Sequence, residues 1–196
     1  MRFPGFSLRM AGVRWLATAK LMAASLLAVF AGQASAGDLT LSSESLQQGE
    51  RMPMAHVYHG CGGDNISPPL SWSGAPEGTR SYALMVHDPD APTGSGWWHW
   101  VIFNIPADVT SLEAGAGELK NGLVPEAIQV RNDYGAPGYG GACPPKGHGK
   151  HRYQFRLYAL GVEQLPLDEN ATPAQVGFQI NANKLAEAEL EVTWSR

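Results

Sequence analysis

The hydrophobic positions of the chain fall into short runs separated by Gly and Pro. Residues 81–87 (Ser-Tyr-Ala-Leu-Met-Val-His) form an apolar run that stops at Asp88-Pro89, a turn signal, and predict a strand. Residues 99–105 (His-Trp-Val-Ile-Phe-Asn-Ile) predict a second strand, stopped by Pro106. Residues 153–160 alternate weakly, are rich in aromatic and branched side chains, and predict a third. Residues 38–41 and 54–58 are weaker strand candidates. Further on the period changes. Thr172 is a helix cap with Pro173 at the first helical position, and Val176, Phe178 and Ile180 give a rough helical stripe through about Leu185. Leu190, Val192 and Trp194 then alternate with Glu189, Glu191 and Thr193, the period of a half-buried strand. Residues 107–131 carry little signal and read as a loop or insertion over the strands. With no internal repeat and no linker, the pattern predicts one mostly β domain with one or two short helices.

Ahead of these elements, residues 21–31 form an apolar run of 11, well short of the roughly 20 needed to span a bilayer. Arg2, Arg9, Arg14 and Lys20 precede it, and Ala34-Ser35-Ala36 follows. A basic start, a short apolar stretch and a small-residue cleavage site read as a secretory signal peptide. The expectation is that residues 1–36 are removed and residues 37–196 are exported as one soluble domain, periplasmic or secreted, with no membrane span.

Charge sharpens this division. The chain has 14 Lys+Arg and 18 Asp+Glu; four of the basic residues and none of the acidic ones lie in residues 1–36, which leaves the remaining 160 residues at net −8. Such a chain lacks the basic surface that nucleic acid or an anionic membrane requires. Export also bears on Cys61 and Cys143, the chain's two cysteines. An even count in an oxidising compartment favours a disulfide, worth roughly 4–5 kcal/mol for so long a loop. Two buried free thiols are the alternative.

Two loops concentrate the chemistry. One runs from Asp88-Pro-Asp90-Ala-Pro92 through Trp97-Trp-His99-Trp100; the other runs from Tyr139 through Cys143-Pro-Pro145-Lys146 to His151-Arg-Tyr153. Each is anchored at a strand end, where sites are commonly built. His99 and His151 can donate an N–H and Tyr153 an O–H, and the Gly-rich runs expose backbone N–H groups. These donors suit a small anion such as phosphate. Asp88 and Asp90 would repel a bare anion, but they can accept an imidazole proton or a ligand's ammonium or hydroxyl group. Pro92 and Pro145 narrow the loops, and Trp97 can form an apolar wall. The same residues also fit turn chemistry and packing.

Other chemistries fit less well. His56-x-x-His59-x-Cys61 and His148-x-x-His151 have metal-ligand residue types. Structural zinc takes four ligands, however, and residues i and i+3 on a strand point to opposite faces. No Gly-x-Ser-x-Gly elbow is present, and Cys143 is the one nucleophile candidate inside the two motifs. The reading is a binding protein with no cofactor and no metal. The rival readings are a hydrolase using an Asp/His/Tyr cleft and a protease inhibitor acting through its surface loops.

Several stretches together resemble one family: Asn65-Ile-Ser-Pro-Pro-Leu-Ser-Trp72, Asp88-Pro-Asp-Ala-Pro92, Gly96-Trp-Trp-His-Trp100 with Asn104, Gly138-Tyr-Gly-Gly, Cys143-Pro-Pro-Lys-Gly, His151-Arg-Tyr153, Leu185-Ala-Glu-Ala-Glu-Leu and Trp194-Ser-Arg196. The chain resembles the phosphatidylethanolamine-binding protein family, in its bacterial Raf-kinase-inhibitor-like branch, over nearly all of residues 38–196. The resemblance implies two antiparallel sheets with Greek-key connections and a small peripheral helix. It implies a pocket for phosphate, sulfate, acetate or a phosphoethanolamine headgroup, falling on Asp88, Asp90, Trp97, His99, Pro145, His151 and Tyr153. It also implies a cis Ala91–Pro92 bond and a homodimer. The chain stops soon after Trp194, so headgroup-sized ligands are expected rather than whole phospholipids. The expected function is an exported small-anion-binding protein that regulates or inhibits a partner, with the protein target unknown. An exported chain does not meet a cytoplasmic kinase.

Overall fold

In the computed structural model, Met1, Gly5 and residues 38–118 and 124–196 are described. The signal-peptide expectation for residues 1–36 lies outside the described residues apart from Met1 and Gly5. From residue 38 onward the chain folds as two antiparallel sheets and one helix. In chain order the elements are β1 (Thr40–Ser42), β2 (Leu70–Ser73), β3 (Ser81–Asp88), β4 (Trp97–Pro106), β5 (Ser111–Leu112), β6 (Ile128–Gln129), β7 (His151–Leu160), α1 (Pro173–Asn183) and β8 (Lys184–Trp194). The smaller sheet has the order β1-β2-β5 and the larger β6-β4-β3-β7-β8.

Both faces of the larger sheet are covered, which explains the near-continuous apolar run of β3. Tyr82, Leu84 and Val86 pack with Trp100, Ile102, Phe155 and Leu157 in one core, shared with Leu70, Trp72 and Leu112 of the smaller sheet. Ala83 and Met85 pack the other way, with Val101, Phe103, Leu165, Val176 and Ile180, in a second core beneath α1. The α1 N-terminus is held by a capping box: Gln175 N–H donates to Thr172 Oγ1 and Thr172 N–H to Gln175 Oε1. The helix stops at Asn183, short of the expected Leu185, because Lys184 begins the pairing of β8 with β7. Its buried stripe is Val176 and Ile180, while Phe178 is exposed.

Three expectations are corrected. Residues 54–58 do not form a strand: Met54–His56 is a 3-10 turn in which His56 N–H donates to Pro53 O and Val57 N–H to Met54 O. These local bonds occupy donors that a strand ladder would use, and Val57 alone bridges to Ala142. Residues 107–131 are not only loop, because β5 extends the small sheet and β6 pairs with the edge of β4. Two-residue strands are too short to carry a period. The Ala91–Pro92 bond is not cis; no peptide bond among the described residues is. The turn closes through Thr93 N–H to Ala91 O at 2.8 Å and the Thr93 hydroxyl to Gly96 O.

Candidate functional site

The ends of β4, β3 and β7 lie side by side, which brings Trp97, His99, Asp88, His151 and Tyr153 together. A change of register places His99 in this group. Val86 pairs with Trp100 and His87 with Trp98, so His99 is the extra residue of a β-bulge. A bulge re-aims a side chain that strict alternation would point away. His99 and Trp100 therefore both face the side of β4 that carries the inter-sheet core. Trp100 fills that core, and His99 lines a cavity of about 370 Å³ at its end.

The remaining wall comes from Pro92, Trp97, Tyr134, Cys143, Pro144, Pro145, His151 and Tyr153, with Asp88. A disulfide joins Cys61 to Cys143 and ties the Pro144-Pro145 segment to the turn His59–Cys61. Tyr134 was not anticipated. It stacks on Tyr58 at 4.1 Å and meets Trp97 and His99 edge-on, at 5.4 and 5.7 Å. Its hydroxyl donates to Gly141 O at 2.9 Å. The Asn132-Asp-Tyr-Gly135 turn that carries it gives no sequence cue to a site.

Hydrogen bonds decide what each polar group offers. His99 Nδ1–H donates to Gly140 O at 2.6 Å, and Gly140 N–H returns a bond to His99 O at 2.8 Å. Burial pushes the His99 pKa down to about 4, so the ring is neutral near pH 7. With the proton on Nδ1, Nε2 is a lone pair. The one N–H that the neutral ring can donate is thus taken by a backbone carbonyl. His151 Nδ1–H donates to Asp88 Oδ2 at 2.7 Å, and its Nε2 lies 2.8 Å from His148 Nδ1, with one proton between the two rings. Asp88 Oδ1 accepts Asp90 N–H at 2.9 Å.

Asp90 itself does not join the cavity wall. Arg152 N–H and Nε–H donate to Asp90 Oδ2, both at 2.9 Å, and Nη2 donates to Oδ1 at 2.8 Å. The guanidinium holds the Asp90 carboxyl down at about 2. In this structure it pins the 88–92 turn to β7 and stands outside the residues that line the cavity.

Six buried side-chain polar atoms have no hydrogen-bond partner among the described residues; three of them, Trp97 Nε1, His99 Nε2 and the Tyr153 hydroxyl, belong to residues that line the cavity, and the others are Trp72 Nε1, Gln129 Nε2 and Trp194 Nε1. The Tyr153 hydroxyl sits near the Asp88 carboxylate without completing a hydrogen bond, and burial pushes its pKa upward, so it remains a donor. Buried polar atoms in native proteins are nearly always satisfied, so this concentration points to a ligand. A larger groove of about 610 Å³ runs under α1 beside Trp98, Arg156 and Phe178. Its charges are already paired, Arg156 with Glu189 and Lys184 with Glu187, so it lacks that unmet demand.

Among the described residues no group of three or more His, Cys, Asp or Glu is placed to hold a metal ion. His56 is committed to Ser45 Oγ at 2.8 Å and Ile66 O at 2.7 Å. Among the described residues no helix is long and apolar enough to cross a membrane.

Two antiparallel sheets with one helix match the fold of solved members of the phosphatidylethanolamine-binding protein family. The family model described as phosphatidylethanolamine-binding protein matches residues 42–195, and the chain belongs to this family. UPF0098 protein YbcL of Escherichia coli K12 is 49% identical over 173 residues, covering 87% of this chain and 94% of the relative. UPF0098 protein YbhB of the same organism is 45% identical, covering 80% of this chain and 100% of the relative. The crystal structure of E. coli YbcL, described as a new member of the mammalian PEBP family, superposes with a TM-score of 0.79 over 81% of this chain and 99% of its own. A homolog from Chlamydia trachomatis, 34% identical, superposes at 0.70 over 81% of this chain and 98% of its own.

Proposed function

We propose that this protein is an exported binding protein for a small phosphoryl-type ligand, held in the cavity between β3, β4 and β7. The carrying observation is that three residues lining one cavity, Trp97, His99 and Tyr153, each hold a buried polar atom without a partner. The cavity of about 370 Å³ suits a headgroup rather than a whole lipid. The apolar walls of Pro92, Pro145 and Trp97 would exclude water and strengthen each polar contact. Binding is favoured over turnover because Cys143, the nucleophile candidate of the two loops, is in a disulfide.

Calorimetry with O-phosphoethanolamine tests this. The double substitution His99→Ala with His151→Ala should weaken binding at least tenfold. Trp97→Phe, a milder change that removes one donor, should weaken it severalfold with the fold intact. Undiminished affinity in both folded variants would refute the assignment. Export is tested separately by the mass of the protein recovered from its host, which should correspond to a chain starting at Gly37.

A further inference from the structure

The three unpartnered atoms are not alike. Trp97 Nε1 is a donor only, and the Tyr153 hydroxyl has a proton to give. His99 Nε2 is the exception, because Nδ1 spends the ring's proton on Gly140 O at 2.6 Å, and a carbonyl can only accept. A phosphoryl group with every oxygen deprotonated could satisfy the first two atoms and not the third. The Asp88 carboxylate is also part of the wall, so each further negative charge on the ligand adds repulsion in a poorly solvated place.

Resting on the phosphoryl reading above, we infer that the pocket selects the singly protonated form of a phosphomonoester, with His99 Nε2 accepting the hydrogen bond from the ligand's P–O–H. Trp97 Nε1–H and the Tyr153 O–H then donate to its charged oxygens. No bond is made or broken, and the ligand's proton stays on the ligand. His99 thereby determines specificity for protonation state. The titratable groups around it are Asp88 and His87 from β3, Tyr134 from the 132–135 turn, and Tyr153 and His151 from β7, with His148 behind His151. Tyr134 and Tyr153 keep their protons across the neutral range, because burial raises both. Protonation of His151 or His148 would favour any anion, so a ligand with no titrating proton serves as the control.

The experiment compares methyl phosphate with dimethyl phosphate by calorimetry at pH 6 and pH 8, in buffers of differing ionisation enthalpy. A phosphomonoester has its second pKa near 6, so its monoanion falls from about half of the total to about 1% over this interval. Methyl phosphate should bind about 50-fold more weakly at pH 8, with uptake of close to one proton per ligand. Dimethyl phosphate, which lacks the P–O–H, should change less than threefold. In His99→Gln, whose amide can turn a donor toward the ligand, the methyl phosphate loss should shrink to threefold or less. Methyl phosphate binding equally at both pH values would overturn the inference and leave the phosphoryl pocket standing. A parallel loss for dimethyl phosphate would also overturn it, by placing the proton on the protein. Binding of neither ester at either pH would overturn the phosphoryl reading itself.

Discussion

Acid should destabilise this protein through His99 in a calculable way. The ring is held neutral in the fold, with its pKa lowered from 6.5 to about 4, and burial is the main cause. Between those values the unfolded chain binds a proton that the folded chain refuses, so stability falls as pH falls from 6.5 toward 4. Integrating one site between pH 7 and pH 4.5 gives a loss of about 2 kcal/mol. His56 and His87 are lowered too, mainly by burial, and add to the same trend. His99→Gln isolates the His99 share, because the amide does not titrate. Urea denaturation of the oxidised parent and variant at half-unit pH steps gives the comparison. Relative to the variant, the parent should lose about 2 kcal/mol over the window, roughly a 1 M fall in the urea midpoint at an ordinary slope. A parent-to-variant difference that moves by less than about 0.5 kcal/mol across the window would show that His99 is protonated in the fold or is freely solvated.

Three other outcomes are expected. Replacing Cys61 and Cys143 with Ser opens a cross-link between residues 82 apart and should cost about 4–5 kcal/mol in urea denaturation. Asp90→Asn should cost about 1 kcal/mol at pH 7, because the Asp90–Arg152 pair is partly exposed. This contribution is present above the unfolded pKa of 3.8 and lost as pH falls through about 2, so parent and variant should converge at acid pH; affinity for O-phosphoethanolamine should stay within about twofold, because Asp90 faces Arg152. Gly141→Ala would put a Cβ 2.3 Å from His56 O and 2.5 Å from Tyr58 N, both backbone atoms, and should lower stability by about 3 kcal/mol in the same assay.

The long strands were legible because their burial leaves apolar runs. β3, β4 and β7 each begin or end within two residues of their expected limits, and Thr172-Pro173 marked the start of α1. The short strands were not legible. β2 alternates buried Leu70 and Trp72 with exposed Ser71 and Ser73, but four residues make a weak period, and β5 and β6 have two each. At the site, the two loops were found and the roles inside them were not. Asp88-Pro-Asp90 offers two carboxylates of equal appearance. The difference is made by Arg152 and His151, 62 and 63 residues away, each of which takes one of them. Tyr134 reached the cavity through a turn without a motif. Whether an imidazole gives or receives a hydrogen bond depends on a backbone carbonyl at Gly140, which no residue type encodes.

The bulge at His99 has a counterpart near the other end of β4. Asn104 takes a left-handed backbone conformation, with φ of 58°, where the register shifts between Tyr82 and Leu84, and its side-chain oxygen accepts Leu165 N–H. Side-chain parity along β4 is thus reset twice, and the middle stretch that fills both cores is insulated from what lies on either side. A change of residue at positions 97–99 can redraw the cavity end without turning Trp100, Val101, Ile102 or Phe103 toward the wrong layer. The fold in this way keeps its interior and its cavity end on separate counts, so a lineage could vary the cavity lining while inheriting the core unchanged.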